Sequence, residues 1–213
     1  MNDLFNKELL LRIFSLIFFI PLVIFPILYS NYLTVFIYLI FNSLIVFEFN
    51  KMKTNVEKYF IINIFVILTC LSFLFFIMLV ISSYDEDFKI LEIILIIWFF
   101  DTFSFLGGKL FGGKKLMPKI SAGKTVSGLL VGFFSTLLIF QLFVYYFNFF
   151  SSSLFFYLII ILLAFIGDLL ASLLKRYVAI KDSGNIMPGH GGLLDRFDSF
   201  IFVFFIYGLL VLI

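Results

Sequence analysis

Apolar runs of about 20 residues follow one another along the whole chain, at 9–29, 32–49, 60–81, 88–107, 126–147, 153–174 and 198–213, and nothing else in the sequence limits the fold as tightly. Such a run is what an α-helix needs to cross a hydrocarbon core of about 30 Å. A helix also satisfies its own backbone hydrogen bonds where there is no water to do so. The last run has 16 residues, about 24 Å at 1.5 Å per residue, which is short for a span. Composition agrees with the runs: 63% of residues are hydrophobic and 13% charged, against about 45–50% and 25% in soluble domains. A soluble domain of roughly this size exposes a quarter to a third of its chain area. The balance therefore excludes a cytosolic enzyme, a disordered chain and a soluble nucleic-acid binder. The expected fold is all-α, a polytopic transmembrane bundle of about seven spans. It forms a single integral membrane domain over residues 1–213, with N-terminal spans in 1–100 and the polar loops in 101–213. Lys7 and Arg12 stand before the apolar stretch Ile13–Tyr29 as in a signal peptide, but the stretch is longer than a usual signal core and no small-residue cleavage site follows. It is read as a retained first span. Cys70 is the single cysteine, so no internal disulfide forms, and it counts as a small hydrophobe.

The charges are unevenly shared between the loops. The N-terminus and the links at 50–59, 108–125 and 175–197 hold 14 of the 15 Lys and Arg residues. The links at 30–31, 82–87 and 148–152 and the C-terminus hold none; Lys89 falls at the start of the fourth run. Seven spans put the two sets on opposite faces, and the positive-inside rule makes the basic set, and with it the N-terminus, cytoplasmic. Segments 101–125 and 168–198 carry 14 of the chain's 28 charged residues.

Charges within a membrane are costly and usually face a cavity or a partner. Asp101 and Asp168 come late in the fourth and sixth spans, and Asp195 and Asp198 where the chain re-enters for the seventh. All four are expected at one depth, near the cytoplasmic face. Glu48 makes a weaker case, and Glu92 is expected to be interfacial. Asp168, Ser172 and Lys175 are spaced i, i+4, i+7 and share one helix face. Asp195 and Asp198, at i and i+3, share a face if the helix begins there. Two nearby carboxylates repel unless a cation separates them, and their oxygens suit Mg²⁺, which takes one or two carboxylates, water and substrate phosphates. The glycines around His190 (Gly189, Gly191 and Gly192) let backbone N–H groups approach an anion, and His190 is expected to contact a ligand or a phosphate. The other loop holds five lysines and no acid. Resting on anionic lipid explains Lys114 and Lys115. Gly123-Lys124-Thr125 is not a Walker A motif, because Pro118 stands where that motif needs glycine and no strand of a soluble domain precedes it. HExxH, CxxC and GxSxG are absent from the sequence. The polar residues are thus suited to phosphates and a hard cation, without a covalent nucleophile.

Residues 172–198, SLLKRYVAIKDSGNIMPGHGGLLDRFD, resemble the signature of the phosphatidate cytidylyltransferases, S-x-x-K-R-x4-K-D-x-G-x3-P-G-H-G-G-x-x-D-R-x-D. All 14 fixed positions over the 27 residues match, including Ser172, Lys175, Arg176, Lys181, Asp182, His190, Asp195, Arg196 and Asp198. A second block of the family is met by Asp101, Thr102, Gly107, Gly112, Ser121, Lys124, Thr125 and Gly128, with Ala122 in place of a proline and Ser127 in place of a glutamate. The resemblance implies an integral membrane nucleotidyltransferase of phospholipid synthesis. It would sit in the cell inner membrane with its active site on the cytoplasmic face. CTP and phosphatidic acid would be its substrates, CDP-diacylglycerol and pyrophosphate its products, and Mg²⁺ its cofactor, with a second cation left open. Asp168, Asp195 and Asp198 would hold the metal. Lys175, Arg176, Lys181 and Arg196 would neutralise the triphosphate, with Asp182 and His190 beside them. Asp101, Ser121, Lys124, Thr125, Ser172, Gly189, Gly191 and Gly192 would bind substrate. Partners are the bilayer and, as an open expectation, a second copy in a homodimer, with no nucleic acid. A CTP-dependent kinase of a polyprenol or similar lipid alcohol is the alternative. A transporter is a weaker one, because its carboxylates would be expected near the midplane.

Overall fold

The computed structural model describes residues 18–52, 59–82, 84–118, 120–147, 153–184, 186–187 and 191–212. Helices dominate: α1 (Phe18–Tyr29), α2 (Asn31–Lys51), α3 (Tyr59–Ser82), α4 (Tyr84–Phe111), α5 (Val126–Phe147), α6 (Leu154–Tyr177) and α7 (Leu194–Leu212). Between α4 and α5 lie two short strands, β1 (Lys115–Met117) and β2 (Ser121–Thr125). Five helices, α2 to α6, are long and apolar enough to cross a membrane, and the chain is a multi-pass integral membrane protein. Seven spans were expected. The described part of α1 is too short to count on these grounds, and α7 carries Asp195, Arg196 and Asp198 in its first two turns.

Inside the spans, hydroxyl side chains return their protons to the preceding turn, as Thr34 does to the Ser30 carbonyl and Thr69 to the Phe65 carbonyl. Helix association in lipid rests on close packing and hydrogen bonds rather than on escape from water. Aromatic rings supply much of that packing. Tyr38 of α2 stacks on Phe76 of α3 at 4.2 Å between centroids, and Phe200 of α7 meets Phe204 at 4.4 Å and Phe76 at 5.4 Å. Helix α7 is thereby wedged against α3 on one side and α6 on the other.

Glycine sets the two approaches nearest the polar residues. On α6, a Cβ at Gly167 would lie 2.8 Å from the Phe202 side chain and 3.2 Å from the Asp198 carbonyl. The α6 and α7 backbones are therefore close at the level of the neighbouring Asp168. Helices α4 and α5 cross at Ser104, Gly108, Gly128 and Gly132. A Cβ at Gly128 would stand 2.5 Å from the Ser104 carbonyl and 3.1 Å from Gly108. Gly128 and Gly132 form the small-xxx-small spacing that lets membrane helices touch. The fourth run was expected to end at Gly107, with a loop from 108; instead α4 continues to Phe111. The physical reason is that these glycines are packed into α5 and do not serve as chain breakers. The helix stops at Gly112, whose φ of +59° ends it as a left-handed cap.

An all-helical chain also needs one addition, the hairpin. β1 pairs antiparallel with β2, Lys115 opposite Thr125 and Met117 opposite Ser121. The Thr125 hydroxyl accepts the Gly128 N–H at 3.1 Å and so caps α5. Ser127, in the place of the family's glutamate, donates to the Gly112 carbonyl and ties the hairpin's two ends together.

Candidate active site

Helix α6 ends in a Schellman turn: Ala179 N–H bonds to the Arg176 carbonyl at 3.0 Å and Ile180 N–H to the Lys175 carbonyl at 2.9 Å. Ala179 adopts φ +65° to make it. The turn sends the chain back towards the bundle, and α7 starts at Leu194, four residues before the expected start of its run. Asp195 and Asp198 are both helical as a result, one turn apart and facing α6.

Lys175 reaches across to them. Its Nζ donates to Asp195 Oδ1 at 2.8 Å and lies 3.8 Å from Asp198 Oδ2, with all three side chains largely buried. The cation that two adjacent carboxylates require is here the protein's own ammonium. The other oxygen of Asp195, Oδ2, accepts Ser183 N–H at 2.9 Å and Gly192 N–H at 3.0 Å. Lys124, from β2, forms an ion pair with Asp168 of α6. The hairpin is thereby drawn onto the α6–α7 pair.

These groups surround a cavity of about 350 Å³ whose wall includes Asp101, Lys124, Thr125, Asp168, Asp195, Arg196 and Asp198. The four carboxylates expected at one depth thus meet around one space. A second cavity, of about 390 Å³, shares Asp101, Asp195, Arg196 and Asp198 but is otherwise walled by Phe19, Ile20, Trp98, Phe99, Thr102 and Phe103 from α1 and α4. Beyond this shared wall the first, polar cavity carries the charges of Lys124 and Asp168 among apolar side chains that include Phe100, Phe105 and Phe165, whereas the second is mainly aromatic and adds no further charge.

Other expected residues stand elsewhere. Arg176 gives its guanidinium to backbone, donating to the Ile120 carbonyl at 2.9 Å and the Ile180 carbonyl at 2.8 Å. It thereby braces the hairpin turn against the end of α6. Ser121, Ser172 and Lys181 are not on the wall of either cavity. Asp182 packs by Gly191, where a Cβ would lie 3.5 Å from the Asp182 Cβ and 3.0 Å from Asp195 Oδ2. Gly192 sends its N–H to Asp195. His190 and Gly189 lie outside the described residues.

Two expectations about glutamates change. Glu92, expected only to be interfacial, is 1% exposed and accepts the Tyr157 hydroxyl at 2.8 Å, so it has a protein partner. Glu48 is also 1% exposed, and its carboxylate holds Ser183 and the start of α7. Its position inside an apolar run was the available signal, since charges there usually have partners.

A hard cation would find suitable donors here. On and beside the polar cavity, four Asp carboxylates face the cationic groups of Lys124, Lys175 and Arg196, a formal excess of one negative charge. Among the described residues no three acidic, His or Cys side chains already converge on one point. A metal would therefore complete its shell with water and phosphate oxygens, as Mg²⁺ commonly does.

A profile of the cytidylyltransferase family matches residues 3–213. A Rickettsia bellii protein named phosphatidate cytidylyltransferase is 37% identical over 98% of this chain and 94% of its own length. A Rickettsia felis protein of the same name is 37% identical over 92% of this chain and 89% of its own. A Staphylococcus aureus protein, again so named, is 43% identical over 54% of this chain and 45% of its own.

Proposed function

The chain belongs to the cytidylyltransferase family, and from that membership we propose that it transfers CMP from CTP to phosphatidic acid, releasing pyrophosphate and leaving CDP-diacylglycerol in the membrane. The observation that carries the reading is the shared wall. A cavity that carries Lys124 and Asp168 and a mainly aromatic one without further charge meet at Asp101, Asp195, Arg196 and Asp198. A reaction between a water-soluble polyphosphate and a lipid phosphate needs such a junction.

In this reading CTP occupies the polar cavity, with Lys124 against its phosphates. The diacyl end of phosphatidate lies along Trp98, Phe99 and Phe103, and its phosphate reaches Arg196. A phosphatidate oxygen then attacks the α-phosphorus, the bond to the bridging oxygen breaks, and pyrophosphate departs with that electron pair. The protein's part is to align the two phosphates and to balance charge that moves onto the leaving group. Asp168, Asp195 and Asp198 would hold Mg²⁺, which supplies charge neutralisation at the triphosphate. Asp195 would use Oδ1, the oxygen that Lys175 holds in this structure. His190 and its glycines would add phosphate contacts from the 185–192 loop.

The membrane arrangement follows the same lines. Counting α1 and α7 with the five long helices gives seven spans, and α7 at 19 residues measures about 28 Å. The C-terminal ends of α2, α4 and α6, carrying Lys51, Lys109, Lys175 and Arg176, then share one face with the hairpin. By the positive-inside rule that face is cytoplasmic, in the inner membrane, where CTP is available.

Purified protein in phosphatidate-containing micelles tests the reading. With CTP and Mg²⁺ it should form CDP-diacylglycerol and pyrophosphate in equal amounts, and a chelator should stop both. Turnover that survives complete chelation would remove the metal from the account, and no CDP-diacylglycerol under any condition would remove the function.

A further inference from the structure

We propose that Glu48 of α2 is a positioning residue that clamps Ser183 and residues 192–194, and through them sets Asp195 over the polar cavity. The inference rests on the function proposed above, because it concerns how that site is held together.

Glu48 lines neither of the two cavities. It is nearly fully buried, and a carboxylate only accepts hydrogen bonds. Three donors converge on its two oxygens: Leu193 N–H to Oε1 at 2.9 Å, Leu194 N–H to Oε2 at 2.8 Å, and the Ser183 hydroxyl to Oε2 at 3.0 Å. The first N–H groups of a helix have no partner within it, and Leu193 has no side-chain oxygen to serve as a cap. Glu48 therefore caps α7 from a helix about 145 residues earlier in the chain. Asp195 grips the same segment from the other side through Ser183 N–H and Gly192 N–H. The Ser183 hydroxyl stands 3.0 Å from one carboxylate and 3.1 Å from the other, with one proton between them.

The glycines supply an independent argument. A Cβ on Gly184 would come within 2.8 Å of Glu48 Oε1; one on Gly192 would lie 2.8 Å from both Glu48 oxygens and would also collide with the Ser183 hydroxyl. Two fixed glycines of the 172–198 motif are thus required by a carboxylate more than 130 residues upstream. Burying such a group is costly unless it is fully hydrogen-bonded, and its partners among the described residues all come from the segment that carries Asp195.

The test uses the full chain in lipid–detergent micelles, wild type beside Glu48→Gln. The glutamine amide turns an NH₂ group towards donors, so at least one of the three bonds is lost. Expected are a fall of tenfold or more in kcat/KM for CTP, a KM for phosphatidate within twofold of wild type, and amide hydrogen exchange at Leu193 and Leu194 at least tenfold faster while α3 to α6 keep their rates. Ser183→Ala, which removes only the shared hydroxyl, should move the same quantities in the same direction by less. Unchanged CTP kinetics with unchanged exchange at 193 and 194 would overturn the proposal. Equal effects on both substrates, or a change in thermal stability alone, would overturn it too, since a merely structural group would behave in that way. If Glu48→Gln fails to fold, Ser183→Ala decides, and wild-type CTP kinetics in that variant count against the clamp. A wild type without cytidylyl transfer would contradict the assigned reaction; the exchange comparison would still judge the clamp.

Discussion

Replacing Lys175 by methionine keeps the length of the side chain and removes the ammonium between Asp195 and Asp198. The two carboxylates, one helical turn apart, then face each other without their shared cation, at a place where all three side chains are about 11% exposed. Breaking a buried ion pair by removing one partner costs about 3–5 kcal/mol. Part of that is offset, because Asp195 keeps the Ser183 and Gly192 N–H groups and lies in the first turn of α7, where the helix dipole favours negative charge by about 0.3–1 kcal/mol. A net loss of about 3 kcal/mol remains, which for a chain of this size corresponds to roughly 6–12 °C in Tm. Intrinsic-fluorescence melting in detergent measures it. The double variant Lys175→Met with Asp195→Asn removes one of the two repelling charges and should recover about 1–2 kcal/mol, within the usual coupling of contacting residues. Turnover should remain lost in both. A single variant melting within 2 °C of wild type, or a double variant no more stable than the single, would refute the bridging role.

Three further outcomes follow from the packing. Gly128→Leu should force α4 and α5 apart, because even a Cβ there would sit 2.5 Å from the Ser104 carbonyl; overpacking of this kind costs about 1–3 kcal/mol or more, and a wild-type melting curve would contradict the crossing. Trp98→Ala should raise KM for phosphatidate several-fold and leave KM for CTP within twofold, as steady-state kinetics with each substrate varied will show; the reverse pattern would exchange the two cavities' roles. Ala179→Gly should stabilise the protein by about 0.5–1 kcal/mol, because the residue at φ +65° carries the left-handed penalty of a Cβ, less the entropy lost by glycine; a lower Tm would count against the Schellman turn.

The sequence made the helices legible because lipid imposes both length and apolarity. The 126–147 run coincides with α5, and the runs behind α2, α3, α4, α6 and α7 differ from those helices by at most four residues at each end. The Asp residues were legible for the same reason, as charges that a membrane does not keep without partners. What local reading missed depends on contacts between distant segments. Gly107 and Gly108 resemble chain breakers until α5 is packed against them. Lys175 and Arg176 are neighbours in the motif, yet one bridges two carboxylates and the other braces backbone carbonyls, a division set by the α6 face each occupies. Glu48 lacks a neighbour in sequence that hints at its role, since its partners begin at Ser183. The hairpin was hidden inside a lysine-rich link whose composition suggests only a solvated loop.

Cytidylyl transfer moves the α-phosphorus of CTP, and not the γ-phosphorus, to the lipid. Parallel reactions with CTP labelled at one or the other position, carried out with phosphatidate and Mg²⁺, test it most directly. The predicted result is label in the lipid product only from the α position, with the γ label recovered in pyrophosphate. Label passing to lipid from the γ position, with CDP released, would contradict the account and identify a CTP-dependent lipid kinase instead.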